Sequence, residues 1–300
     1  MTTIPADAVL PLLGAIDPWR WQAHPEVWFL VLAILALGWW AVRVIGPRVV
    51  PVGRPVATTF QRWTFVAATV LLLASADWPI HDIAEVHLYS VHMVQHMAIT
   101  FIVPPLYLLA TPAWLVRLLV LDGGVGSRAV RRMAHPVVAG VVFNALVAIT
   151  HWSGVVQLSF ESGMFHYSLH LMLFLSALLM WVPVAAPIPE LRISLPGQMI
   201  YLFLMSIIPT IPAAWLTFAE GTVYKHYDDG FEMWGVSVQS DQQTAGLIMK
   251  LLGGFYLWGI IIVKFIGYSR IHHRDGQIMR SAEGRHLDLQ RRNTEAEPVE

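Results

Sequence analysis

The sequence predicts an all-α membrane protein, a polytopic bundle of seven transmembrane helices, and three observations predict it. Of its 300 residues, 56% are hydrophobic and only 13% are charged, against about 25% charged in an ordinary globular domain. That excess recurs along the whole chain in apolar runs approaching the roughly 20 residues a bilayer crossing needs. The basic residues also fall into alternate connecting segments, the pattern left when one set of loops faces the cytoplasm. A net charge of -1 gives no global pull towards nucleic acid.

Residues 1–26 carry Asp7, Asp17 and Glu26 against Arg20, and lack the basic start and small-residue cleavage site of a signal peptide. They read as an extracytoplasmic leading segment. The transmembrane domain, 27–267, follows. Its first span is Val27–Ile45, ended by Gly46-Pro47 and a linker bearing Arg43, Arg48, Arg54 and Arg62. The second, Trp63–Ala76, closes on Asp77-Trp78-Pro79, and Asp82 and Glu85 come next with no Lys or Arg beside them. The third, Ile83–Leu109, contains Pro104-Pro105, which must kink the helix and free carbonyls for neighbours to satisfy. Thr111 to Leu121 reads as a short interfacial helix, followed by a Gly-rich turn with Arg128, Arg131 and Arg132. The remaining spans are Pro136–Trp152, Ser162–Val184, Leu195–Phe218 and Gln243–Ile266, with an acidic loop, Glu220 to Asp241, before the last. Residues 268–300 form a basic tail with little to bury, read as an amphipathic or disordered end.

Four arginines join spans one and two, Arg117, Arg128, Arg131 and Arg132 join three and four, and the tail adds more. The opposite segments hold only Arg20 and Lys225. This asymmetry places the N-terminus outside and the C-terminus in the cytoplasm.

Within that topology the polar side chains converge. His92 and His96, four apart, lie one above the other on a helix face, and His166 and His170 repeat the pattern in the fifth span. Glu85, seven before His92, falls on nearly the same stripe, with Gln95 beside it. At about 1.5 Å rise per residue, the first pair lies roughly 10–20 Å below the outer surface. The second lies at similar or shallower depth. His151 ends the fourth span and Asp77 the second, both on that side. Polar groups at such depth are expensive unless they face a partner or cavity. The acidic outer loops would concentrate cations above this nitrogen-rich region. The candidate metal ligands are therefore His92, His96, His166 and His170, with His151 and Asp77 at the same end.

There are no cysteines, so thiolates and disulfides are excluded. Imidazoles suit Zn, Cu, Fe and Ni, while thioethers tilt the choice towards Cu(I). Met93 and Met97 sit about 100° round the helix from the histidines and read as packing residues. A lone membrane histidine is more often a hydrogen-bonded packing group than a ligand, which sets His87 and His151 behind the two pairs. Lys250 reads as a partner of Asp77 or Asp241. A single haem held by His92 and a fifth-span histidine such as His170 is an alternative, although the crowding of histidines into one half argues against a two-haem arrangement. A retinal Schiff base on Lys250 leaves the histidine pairs without a role. A redox or proton-translocating enzyme is a further alternative, set behind the others by the absence of a nucleotide or flavin motif.

Three segments carry a resemblance. His92-Met-Val-Gln-His-Met97 is followed by Val103-Pro-Pro105 and Thr111-Pro112. His166-Tyr-Ser-Leu-His170 precedes Trp181-Val-Pro183. Asp241-Gln-Gln243, Gly246 and Ile248-Met249-Lys250 open the last span. As a set, covering about residues 77 to 265, these resemble the integral membrane CtaG-type assembly factors of the caa3 cytochrome c oxidase. The resemblance implies a seven-span protein of the bacterial plasma membrane that helps mature a haem-copper oxidase without catalytic turnover. It further implies copper as the bound ion and oxidase subunits as partners.

Overall fold

The computed structural model describes residues 19–228 and 232–295. The expected leading segment up to Pro18, with Asp7 and Asp17, lies outside the described residues, as do Asp229 of the acidic loop and 296–300 of the tail. The described chain is helical throughout, with no strand. In order the helices are α1 (Pro25–Val49), α2 (Thr59–Ala76), α3 (Ile80–His87), α4 (Tyr89–Ala110), α5 (Ala113–Val120), α6 (Val125–Met133), α7 (Pro136–Thr150), α8 (Ser153–Glu161), α9 (Gly163–Ala185), α10 (Leu195–Thr217) and α11 (Val238–Glu295). Five of them are long and apolar enough to cross a membrane: α1, α4, α9, α10 and α11. The count rises to seven if the bent pairs α2–α3 (46°) and α6–α7 (70°) each make one span. The outward faces are apolar, with Phe29, Leu37, Trp39, Phe255 and Val263 exposed, as contact with lipid requires.

Local chemistry sets the ends of these helices. Pro25 and Pro136 sit in first turns, where a missing N–H costs nothing. Thr58 and Gln61 form a reciprocal capping box at the start of α2: the Gln61 N–H donates to Thr58 Oγ1 at 3.2 Å, and the Thr58 N–H donates to Gln61 Oε1 at 2.9 Å. Ser162 accepts from the Phe165 N–H at 3.4 Å to start α9.

Helix α4 is the hub. Of its apolar window 67% is buried, against 17% for α1 and 22% for α11. Tyr89, Met93, Met97 and Phe101 run down it into a core shared with Phe143 and Val147 of α7, Leu173, Met180 and Trp181 of α9, and Leu202 of α10. Met93 and Met97 are thus packing groups. The proline pair has the expected consequence. Pro104 cannot donate to the carbonyl of Thr100, four residues back, and a π turn over Ala98–Ile102 precedes it. The freed Thr100 carbonyl accepts instead from the Trp181 indole N–H at 3.0 Å.

Two expectations need correction. The third span does not run unbroken from Ile83. Leu88 is extended (φ -132°, ψ 111°), so the chain ends α3 and begins α4 afresh. Glu85 therefore leaves the stripe of His92. The stretch after Trp152, between the fourth and fifth expected spans, is a short helix, α8. Of the two forms expected for the basic tail, amphipathic or disordered, its described part is not the disordered one: α11 is continuous for 58 residues, to Glu295, about 87 Å at 1.5 Å per residue.

Helices α10 and α11 approach closely at Gly246. A Cβ there would meet the Ala213 carbonyl oxygen at 2.7 Å, whereas one at Gly259 would meet nothing within 4 Å. Gly246→Ala is expected to destabilise the bundle by about 1–3 kcal/mol. Gly259→Ala is expected to stay within about 1 kcal/mol of the parent, on the stabilising side. Reversible unfolding in mixed micelles measures both.

Candidate metal centre

Because α4 restarts at Tyr89, its first turn needs partners for orphan N–H groups. Asp241, in the first turn of α11, supplies them from 152 residues away. Its carboxylate accepts from the Tyr89 N–H at 2.6 Å and the Ser90 N–H at 3.1 Å. A carboxylate on a helix N-terminus is also favoured by the helix dipole. This clamp fixes the rotation of α4, and with it the direction of His92 and His96, about one and two turns further on.

The two i,i+4 pairs then face each other. Ring centroids are 4.3 Å apart within the α4 pair and 4.4 Å within the α9 pair. Across the helices, His170 lies 5.5 Å from His92 and 4.9 Å from His96. One donor atom each of His92, His96 and His170 falls within 4.8 Å of the others, and among the described residues no other such group of three forms. Nitrogens about 2.0–2.1 Å from a shared ion lie at most about 4.2 Å apart, so small ring rotations close the trio. His166 stands 6.1 Å from His92, and His151 6.4 Å from His96.

Most of these rings are buried: His92, His96, His151 and His166 are between 3% and 7% exposed, and His170 is half-buried. Among the described residues, His92 Nδ1, His96 Nε2, His151 Nε2 and His166 Nε2 have no hydrogen-bond partner. In folded proteins generally, buried polar atoms are nearly always paired. His151 is instructive, because its Nδ1–H donates to the Val147 carbonyl at 2.7 Å. That tautomer leaves the lone pair on Nε2, the arrangement usual for a metal-bound imidazole. Tyr89, His92, His96, His151, His166 and His170 line a cavity of about 30 Å³, room for an ion or a water molecule. The donor set therefore fits a metal ion with nitrogen preference.

The connection between α10 and α11 closes this end. Tyr224 donates to the His151 carbonyl at 2.8 Å, and Tyr227 to the Ala84 carbonyl at 2.9 Å. Burial pushes both phenols well up, so they stay neutral donors at physiological pH. His226 stacks on Phe160 at 3.5 Å and donates to the Glu85 carbonyl at 3.1 Å.

Asp77 lies at the end of α2, as expected, but its carboxylate accepts from the Trp28 indole N–H and the Trp78 amide, both at 2.9 Å. The structure does not bring it into the imidazole group. Lys250 pairs with neither Asp77 nor Asp241: its Nζ donates to Thr210 Oγ1 at 2.6 Å. The acidic rim is not unopposed either. Its partners are histidines rather than Lys or Arg: His24 Nε2 meets Asp82 at 3.1 Å, and His81 Nε2 meets Glu85 at 2.9 Å. His24 and His81 are the residues that sequence reasoning misses. The i,i+4 spacing of His81 and Glu85 is an available signal; nothing local marks His24.

Asp241→Ala removes two charge-assisted bonds from the start of α4. The expected cost is about 2–3 kcal/mol, with faster hydrogen exchange at the Tyr89 and Ser90 amides measured by mass spectrometry.

The family model described as cytochrome c oxidase caa3 assembly factor (Caa3_CtaG) matches residues 33–270. No curated protein and no solved structure matches the chain.

Proposed function

The chain belongs to the caa3 cytochrome c oxidase assembly factor family, and from that premise we propose that it carries copper to the oxidase. His92, His96 and His170 hold the ion, with His166 and His151 as flanking donors. The protein sits in the bacterial plasma membrane with seven spans and the histidine end outward, on the segregation of its arginines. It turns over no substrate; the ion is cargo, passed to a copper centre of an oxidase subunit.

The observation that carries this reading is the convergence of three imidazoles, two of them buried, within 4.8 Å, beside nitrogens that nothing else among the described residues satisfies. Copper takes imidazole nitrogen readily, and a haem-copper oxidase is the family's client. The chain's own part is to hold neutral rings in fixed register, to keep water out with the Tyr224–Tyr227 connection, and to leave His170 half-buried as the side from which cargo departs. A haem between His92 and His170 is less well supported, because a cavity of about 30 Å³ is far smaller than a tetrapyrrole.

Purified protein is expected to bind about one copper per chain. The His92→Ala/His96→Ala/His170→Ala variant should bind at least 100-fold more weakly by competition with a chelator, and cells carrying it should assemble copper-poor oxidase. Equal binding by the variant overturns the site. The purified protein should show no Soret absorption; a Soret band lost on His92→Ala would favour the haem reading.

A further inference from the structure

The same end of the bundle holds more ligand-type side chains than the centre uses. Glu26 lies at the start of α1 with its side chain 40% exposed. Its Oε1 accepts from the Tyr167 hydroxyl at 2.7 Å and lies 3.4 Å from His24 Nδ1. His24 Nε2 contacts Asp82 Oδ1 at 3.1 Å. The His24 and His81 rings then meet edge to face at 4.8 Å. His81 Nε2 lies 2.9 Å from Glu85 Oε2, and its Nδ1 accepts from the Gln95 amide at 3.1 Å. The next ring is His166, 6.2 Å from His81 and 6.1 Å from His92. His24, His81 and Asp82 are 7%, 3% and 7% exposed.

Ionisable groups buried in a membrane bundle are costly and mark ion pathways by default. Here a series of such groups leads from the exposed Glu26 to the centre. Imidazole and carboxylate alternate along it, a mixed nitrogen–oxygen set that suits borderline divalent ions more than soft monovalent ones. Among the described residues, no three of these donors converge as those of the trio do. A cation in the series is therefore held by fewer ligands than at the centre, and moves on.

We propose that Glu26, His24, Asp82, His81, Glu85 and His166 form an uptake ladder, along which a divalent transition-metal cation passes from the exposed Glu26 carboxylate to the imidazole trio. The proposal rests on the reading of the trio as a metal centre. Glu26 and Asp82 attract the cation, His24 and His81 hand it inward, and His166 delivers it to His92.

The full-length chain in nanodiscs, mixed with Cu²⁺ in a stopped-flow instrument and followed by tryptophan quenching, tests it. Asp82→Asn and His81→Gln are expected to slow loading at least tenfold while equilibrium affinity stays within threefold of wild type. Glu26→Gln, at an exposed position that leaves buried packing intact, should slow loading as well. A structural role for these residues would lower melting temperature and affinity without this separation. Glu161→Gln, an exposed acid outside the ladder, should load within twofold of wild type. Loading within twofold of wild type in all three ladder variants, with equilibrium binding intact, overturns the ladder and leaves the centre standing. Equal slowing by Glu161→Gln reduces the effect to general surface charge and also overturns it. If the wild-type chain binds no Cu²⁺ at equilibrium, the centre falls and the ladder with it.

Discussion

Inside a bilayer there is no water to hydrogen-bond a stray polar group, and each one left unsatisfied costs several kcal/mol. The fold is organised around that constraint. Pro104 frees the Thr100 carbonyl, and the Trp181 indole takes it. The chain breaks at Leu88 and exposes a fresh helix start, which the Asp241 carboxylate covers from the first turn of the last helix. Tyr201 donates to the Met180 carbonyl between α10 and α9. The first two repairs join elements distant in sequence, so the polar groups that proline and a chain break release also help to hold the helices in register. Against this background the orphaned nitrogens of His92, His96, His151 and His166 stand out as a cluster; Trp78 Nε1, Gln95 Oε1 and Asn144 Oδ1 also lack a hydrogen-bond partner among the described residues but are not part of such a group of imidazoles.

The position of that group is set by ordinary apolar packing. Met93, Met97, Leu173 and Met180 lock α4 against α9, and the histidines ride on those two helices, the α4 pair about one and two turns from the Asp241 clamp. Rigid elements give a tighter site than loops can. The loop residues at this end, Tyr224, Tyr227 and His226, serve as cover: they donate to carbonyls of α3 and of the His151 turn after α7, and leave the imidazoles to each other.

Part of this is legible in the sequence. Four-residue histidine spacing is a local signal, and it correctly puts each pair on one helix face. That the two faces meet depends on α4–α9 packing, which hydropathy does not encode. Glu85 falls off the expected stripe because the break at Leu88 carries no glycine or proline to announce it. The break exists because Asp241, far along the chain, can cap the new helix start. A count of Lys and Arg alone leaves the acidic rim unopposed, and histidine supplies the opposing groups. His24 and Asp82 are 58 residues apart, and no periodicity links them. Charge complementarity points Lys250 to an acid, yet it lies on an exposed face where Thr210 is within reach.

Tight holding and fast loading make opposing demands on one site. On the proposed reading, imidazoles in a small cavity would hold an ion strongly, but the same burial would raise the cost of bringing a hydrated cation to them. A graded series of ligands resolves the conflict. Exposed carboxylate at Glu26 meets the hydrated ion, and paired imidazole and carboxylate strip water in steps. Only at the trio do three nitrogens converge among the described residues. Along the proposed path imidazole and carboxylate alternate, and its last step exchanges fewer donors for three nitrogens, which would set direction without any moving part. On the proposed reading, release would need the reverse, and the half-buried His170 is the trio member less enclosed than His92 and His96 and so the one a competing ligand would meet first.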